Sequence, residues 1–479
     1  MKASFQIPLL RVFTLAALLL APCSIPRALA QGGSLTPPGA PAPTMRSLQE
    51  IWDKIGVLEA QNTAQQAQIT VLQNQGPRMH YASGGSLPWV ISTVDSADWV
   101  GEHTSLAFTP GGQPAISYLD ATNRNLKYAV FNGSSWAATI VDGSLSIVGD
   151  FTSLAFTPSG QPAISYYDVT NTALKYAVFN GSSWTLTTVD GAGDVGYETS
   201  LAFGPDGQPA IAYYDVTNSA LKFARFNGST WNVITVYDYL DVGRYSTLAF
   251  GPDGQPAISF FEASGGGNLM FTRSTGSNWP IVFPITVIPI DALGNVGSHT
   301  SLAFGPDGQP AISYYDQTSG NLKFVRYSVG PGWTFSTVDD GGVSDDVGQY
   351  TSLAFGPDGQ PVISYYDVTN GDLKFARYNG YNFNVFVVDS TGDVGSHTSL
   401  AFGPDGLPAI SYYDRTDRDL KFARFNGYNF SVTIVESTGD VGEYTSLAFG
   451  PDGQPAISYK DETNQDLKFA RMGTFAPAP

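Results

Sequence analysis

One unit of about 47 residues recurs eight times along this 479-residue chain, and no other feature constrains the fold as tightly. Its anchor is Ser-Leu-Ala-Phe (Ser-Thr-Leu-Ala-Phe in the fourth copy), ending at Phe108, Phe156, Phe203, Phe250, Phe304, Phe355, Phe402 and Phe449. Repeats of this period mark architectures in which each unit buries its apolar faces against its neighbours. Residues 196–238 show how one unit is written. Thr199–Phe203 is a short apolar strand, and Gly204-Pro205-Asp206-Gly207 is a tight turn, with proline pre-setting φ. Gln208–Asp215 forms a second strand and Leu221–Phe226 a third. Asn227-Gly228 is a hairpin turn, and Trp231–Val236 forms a fourth strand. The short connections predict antiparallel pairing in sequence order. The first two strands are apolar on both sides, as a sheet sandwiched between two others requires.

The ends of the array predict a closed ring. The last unit stops after its third strand, Leu467–Arg471, while Trp89–Asp95 copies the spacing of the fourth strand Trp184–Asp190. An amino-terminal strand that completes the last unit leaves no free edge. The expected fold is therefore all-β. It is an eight-bladed β-propeller of four-stranded antiparallel blades over residues 77–479, closed by an N-terminal strand and preceded by a short coiled-coil helix.

Composition agrees with that reading. Charged residues are only 14% of the chain, against roughly 25% in an average domain. Glycine and proline, 52 and 31 residues, match a turn-rich chain. The net charge of −18 argues against nucleic acid or an anionic membrane surface as a partner, since both need cationic patches.

The first 86 residues read differently. Lys2 and Arg11 precede the apolar run Val12–Ala21, and Ala28-Leu29-Ala30 is a small-residue cleavage pattern, so residues 1–30 read as a secretory signal. The run is too short for a membrane span, which needs ~20 residues. Removing Lys2, Arg11 and Arg27 takes the net charge from −18 to −21. The only cysteine, Cys23, lies here too. Its Leu20-Ala21-Pro22-Cys23 context has the outline of a bacterial lipobox, but proline before the cysteine does not suit one, so lipidation is not expected. The expected location is secreted, periplasmic or on the outer cell surface, with no disulfides available. Residues 31–44 are a Pro/Gly-rich linker. Residues 45–76 carry heptads, with Leu48, Ile55, Asn62 and Ile69 at one seam position and Ile51, Leu58, Gln65 and Leu72 at the other. That seam predicts a homo-oligomer through a left-handed coiled coil.

Units such as Ser352–Gly380 resemble the NHL-type class of propeller repeat. The shared elements are the Pro-Asp-Gly turn, the apolar strand ending in Asp, and an Asn shortly after it. The resemblance implies the propeller fold and a bias towards binding. Leu-Lys replaces the usual Arg-Ile, and no catalytic residue carries over. The units also resemble those of secreted bacterial propeller lectins, but the sialidase Asp-box is absent.

Two recurring groups are expected to meet on one ring face, where the loops after the second and fourth strands emerge. One is the acid ending the second strand: Asp120, Asp168, Asp215, Glu262, Asp316, Asp367, Asp414 and Asp461. The other follows Val-Gly-x, with His103, Phe151, Glu198, Tyr245, His299, Tyr350, His397 and Tyr444 at equivalent positions. Carboxylates bind sugar hydroxyls and aromatic rings stack on sugars, so the acids with His103, Tyr245, His299, Tyr350, His397 and Tyr444 are the candidate ligand set. The alternative for each Asp is a cap on its own loop, as Asp-x-Thr-Asn commonly forms. No cofactor is expected; Ca²⁺ is the one ion such oxygens would suit, although no dense Asp-x-Asp-x-Asp spacing occurs. The histidines lie in different units, which argues against a shared metal site. Lys222, Arg225 and their equivalents read as outer-strand charge, and the tryptophans that open the fourth strands as packing between blades. The fourth unit deviates most, with Glu262, Met270 and an insertion at 264–267.

These observations predict a secreted, non-enzymatic binding protein for a glycan or an extracellular or envelope ligand. A structural or protein-interaction scaffold of the envelope is the alternative. A hydrolase or lyase with its site near the fourth unit is a further one, although no carboxylate pair is singled out as a catalytic couple.

Overall fold

Second strands such as Pro209–Asp215 are buried along their whole length, and this dictates what surrounds them. A computed structural model describes residues 87–97, 99–143, 147–264, 266–274, 288–342 and 345–473. They form eight four-stranded antiparallel sheets, seven of them in simple sequence order from inner to outer strand. Blades 1 to 7 span 100–142, 148–190, 195–237, 242–291, 296–339, 347–389 and 394–436; blade 8 spans 441–472. Its outer strand is Trp89–Asp95, paired antiparallel with Asp466–Met472 from Trp89↔Met472 inward. The protein is an eight-bladed β-propeller closed by its N-terminal strand, as the sequence predicts. The expected signal, linker and coiled coil, with Leu48, Ile51, Ile55, Leu58, Asn62, Ile69 and Leu72, lie outside the described residues.

Eight apolar clusters fill the eight interfaces between blades, and the one containing Val94, Val100, Tyr118 and Phe469 joins blade 8 to blade 1. Among the described residues, the tryptophan or phenylalanine near the start of an outer strand packs edge-on against the third-strand ring of the preceding blade. Trp136 meets Phe469 at 4.9 Å, Trp231 meets Tyr176 at 5.1 Å and Phe430 meets Phe375 at 5.0 Å. Such pairs add about 0.5–1.5 kcal/mol beyond burial.

Hydrogen bonds between blades explain the anchor motif. The Ser153 hydroxyl accepts the Leu201 N–H at 3.2 Å, and Ser200 accepts Leu248 N–H at 3.1 Å. The residue before that serine bonds backwards: Thr351 Oγ1 donates to Ser313 Oγ at 2.7 Å, and Thr445 Oγ1 to Ser411 Oγ at 2.6 Å. Threonine, serine and leucine therefore stitch each inner strand to both neighbours. Close approach also explains Val-Gly: a Cβ on Gly196 (φ 112°) would lie 2.9 Å from Leu174 Cα of the previous blade.

Inner strands run longer than the sequence suggests. Blade 3 begins at Val195, so Val-Gly-x-[His/Tyr] belongs to the strand and does not precede it. Pairing resumes beyond an irregularity that looks like a loop in one dimension, and that irregularity builds the site.

Candidate functional site

In blade 1, Glu102 pairs with Leu119 and Ser105 with Ser117, so His103 and Thr104 together oppose Tyr118. This is a bulge, which bends a strand and re-aims a side chain. The same register shift recurs in every blade. At each bulge a non-glycine residue takes a left-handed backbone conformation: His103, Phe151, Glu198, Tyr245, His299, Tyr350, His397 and Tyr444 have φ between 50° and 54°. That costs roughly 1–2 kcal/mol per residue, so the surrounding ring must hold it in place.

These eight side chains, with the hydroxyl residues that follow them, line one cavity of about 560 Å³. Seven of the eight are aromatic rings and one, Glu198, is a carboxylate. Neighbouring rings touch around the axis. Tyr245 lies 5.3 Å from His299, His299 5.1 Å from Tyr350, Tyr350 4.9 Å from His397, and His397 5.2 Å from Tyr444. His103 continues the belt at 5.8 Å from Tyr444 and 5.0 Å from Phe151. The belt backbone is gripped from behind: Thr199 Oγ1 donates to Phe151 O at 2.9 Å, and Thr104 Oγ1 to Tyr444 O at 3.1 Å.

Burial sets the protonation of the belt. It lowers the His299 pKa and takes His397 down to about 4, with smaller contributions at His397 from Arg415 and His299, so both are neutral at pH 7. Burial raises the Glu198 carboxyl, partly offset by the Tyr245 N–H it accepts and by Arg244. His103 Nε2 lies 3.2 Å from Asp150 Oδ1, and burial, with Glu102 adding, raises Asp150 against the opposing pull of His103.

The other expected set is elsewhere. Asp120, Asp168, Asp215, Glu262, Asp316, Asp367, Asp414 and Asp461 are at most 2% exposed and do not line the cavity. Asp215 accepts the Asn218 N–H at 2.9 Å, and Asp120, Asp168, Asp367 and Asp461 cap their loops in the same way. Asp316 and Asp414 accept the Ser319 and Asp417 N–H groups. Glu262 accepts Asn268 Nδ2. Their second role is electrostatic. Lys222 bridges Asp215 of its own blade and Asp190 at the end of the previous outer strand, and the Tyr213 hydroxyl donates to Asp190 at 2.8 Å. Seven interfaces hold such a lysine between two carboxylates. Lys222 is therefore buried, which corrects its reading as outer-strand charge.

The interface between blades 3 and 4 is the exception, and it changes as a whole. Tyr237 stands at the Asp190 position, Phe260 at Tyr213, Met270 at Lys222 and Glu262 at Asp215. Phe260 and Met270 are buried in one apolar cluster with Tyr237 packed on it. The deviant fourth unit is thus a repacked interface. Among the described residues no group of three or more His, Cys, Asp or Glu is arranged to hold a metal ion.

Sequence reasoning left Phe151 and Glu198 out of the ligand set because they break the His/Tyr pattern. The repeat position itself was the signal, since every occupant of it reaches the axis.

Fold and site together define a β-propeller with an axial pocket. No family model matches the chain, and no curated protein does. Solved structures similar to it include a propeller. The Dos1 propeller superposes with a TM-score of 0.50 at 11% identity, covering 82% of this chain and 98% of that one. The Aleuria aurantia lectin, bound to a fucosylated disaccharide, gives 0.34 at 14% identity over 60% of this chain and 95% of that one. An α-L-arabinofuranosidase from Fusarium graminearum gives 0.37 at 13% identity over 58% and 92%. At these identities the likeness is one of fold.

Proposed function

We propose that this is a secreted, non-enzymatic binding protein that takes one carbohydrate unit in the axial pocket. The observation that carries the reading is the belt: seven rings and one carboxylate held in a costly backbone conformation around a single cavity. Backbone strain gathered around one cavity is an outlier from which a binding site is inferred. Sugar C–H faces stack on such rings, while tyrosine hydroxyls, neutral imidazoles and the carboxylate suit sugar hydroxyls. The cavity volume falls in the range of small-ligand sites, roughly 300–1,000 Å³. The second-strand acids are committed to their own loops and to the interface lysines, so one ligand per chain is expected where eight peripheral sites would bind eight. Glycans of an extracellular or envelope partner are the natural source, and oligomerisation through residues 45–76 would multiply a weak single contact into avidity.

Calorimetry of the purified chain against sugars drawn from a glycan array tests this. The expected result is one site per chain, weakened at least ten-fold by Tyr350→Ala or His397→Ala and unaffected by added Ca²⁺. A stoichiometry near eight, or binding untouched by both substitutions, would overturn it. Specific capture of an envelope protein with no sugar binding would favour the scaffold instead.

A further inference from the structure

We infer that the axial site selects a ligand carrying a protonated amine, an amino sugar over its neutral counterpart, with Glu198 as the counter-ion. This rests on the pocket being a sugar site and adds the chemical class of the sugar.

Three independent observations point the same way. First, the belt holds a single acidic side chain. Of its eight positions, 198 alone carries a carboxylate, between Phe151 and Tyr245. Second, that carboxylate is held and half committed. One oxygen accepts the Tyr245 N–H from the next blade, while the other has no hydrogen-bond partner among the described residues. An ammonium group entering along the axis would meet this second oxygen with rings on either side, and the negative faces of aromatic rings favour a cation. Third, the surroundings are negative. The positions just before the belt residues carry Glu102, Asp150 and Glu443 against one cation, Arg244. Arg244 is already engaged, 3.3 Å from Asp241 and stacked 5.1 Å over the Tyr214 ring. Lys460 is 1% exposed and bound by Glu102 and Glu462 at 2.9 and 2.6 Å. A further cation, Arg415, lies in blade 7 across the ring from Glu198, where it acts on His397 and Tyr350 and is engaged by Tyr366 and Asp393. The buried His299 and His397 are neutral, so they do not compete for the carboxylate.

A neutral sugar gains the stacking but makes no ion pair with the carboxylate, whose charge Arg244 offsets only without direct contact. Calorimetry of the full chain with glucosamine and N-acetylglucosamine at pH 7 separates the two. Glucosamine is expected to bind at least ten-fold tighter. Glu198→Gln keeps the shape of the side chain and the acceptor for Tyr245 N–H. It is expected to abolish that preference, bringing the two affinities to within about two-fold of each other, while an unchanged thermal midpoint shows that the variant is folded. Equal affinities, or a preference that survives in Glu198→Gln, would overturn the inference and leave the sugar site standing. If neither sugar binds and no neutral sugar does, both fall together.

Discussion

Lys222 is 8% exposed, and its amine lies between two carboxylates, Asp215 and the Asp190 that also accepts the Tyr213 hydroxyl. Burial alone would raise the Asp190 pKa; hydrogen bonds from Lys222, Ala192 and Tyr213 outweigh it and leave the carboxyl below its ordinary value of 3.8. Removing the cation strands two buried acids. Lys222→Met is therefore expected to cost about 3–5 kcal/mol, read from the urea midpoint. The chain contains its own control in Tyr237, Phe260, Met270 and Glu262. Transferring that set, as Asp190→Tyr, Tyr213→Phe, Lys222→Met and Asp215→Glu together, is expected to recover most of the loss. The pH dependence follows from the same residues. Asp95, Asp190, Asp291, Asp339 and Asp389 have depressed folded-state values, so their contribution is complete above about pH 4 and disappears as pH falls through those values. His397 acts at higher pH. Its folded value of about 4 lies below the ordinary 6.5, so stability drops between pH 6.5 and 4 as the unfolded chain takes up the proton. His397→Phe is expected to flatten that part of a thermal-midpoint profile while keeping a ring in the belt. None of this was legible at Lys222 itself. A lysine alternating along a strand looks solvated until the next blade is laid over it.

Strands and turns were legible as elements, and a correlation between two of them explains a detail of the repeat. Six blades have a Gly-Pro-Asp-Gly turn, and the same six have arginine near the end of the third strand: Arg225, Arg273, Arg326, Arg377, Arg424 and Arg471. Blades 1 and 2 have Thr-Pro-Gly-Gly and Thr-Pro-Ser-Gly, with Val130 and Val178 in its place. Arg225 Nη2 donates to Asp206 at 2.9 Å, and its guanidinium stacks 5.0 Å over Phe250 of the next blade. Asp206 is about half exposed, so the ion pair itself is weak. A double-mutant cycle of Asp206→Gly and Arg225→Val is expected to give a coupling of about 0.5–1 kcal/mol. A value near that of Lys222→Met would contradict the distinction between the exposed and the buried pair. The inner strand was the element misjudged, because glycine and a positive-φ bulge carry the local signature of a loop.

At the scale of the molecule, closure matters most. Trp89–Asp95 covers the edge of Asp466–Met472, while Asp95 accepts the Tyr118 hydroxyl at 2.6 Å and pairs with Lys127. Deleting residues 87–95 opens a strand edge and strips both partners from the interface between blades 8 and 1. The expected outcome is a lower, less cooperative thermal transition with aggregation in light scattering. An unchanged midpoint would mean the ring does not depend on its clasp. Assembly is a separate question. A chain lacking residues 45–76 is expected to fall to monomer mass in light scattering if the heptads associate.

The sequence by itself determined the number of blades, their four strands and the closing strand. Each follows from local patterns repeated at fixed spacing: alternation, turn residues and a missing last strand. It also carried both recurring groups of candidate residues. Only the tertiary structure decided which group faces the axial cavity. The bulge at Val-Gly-x turns one row towards the axis, while the neighbouring blade covers the other row and neutralises it with lysine. Those are contacts between residues some 30 to 50 positions apart, whose geometry no single repeat encodes. The acids thus have several addresses, among them those paired with lysine inside the blades, those paired with arginine at the Gly-Pro-Asp-Gly turns, and Glu198 at the axial cavity.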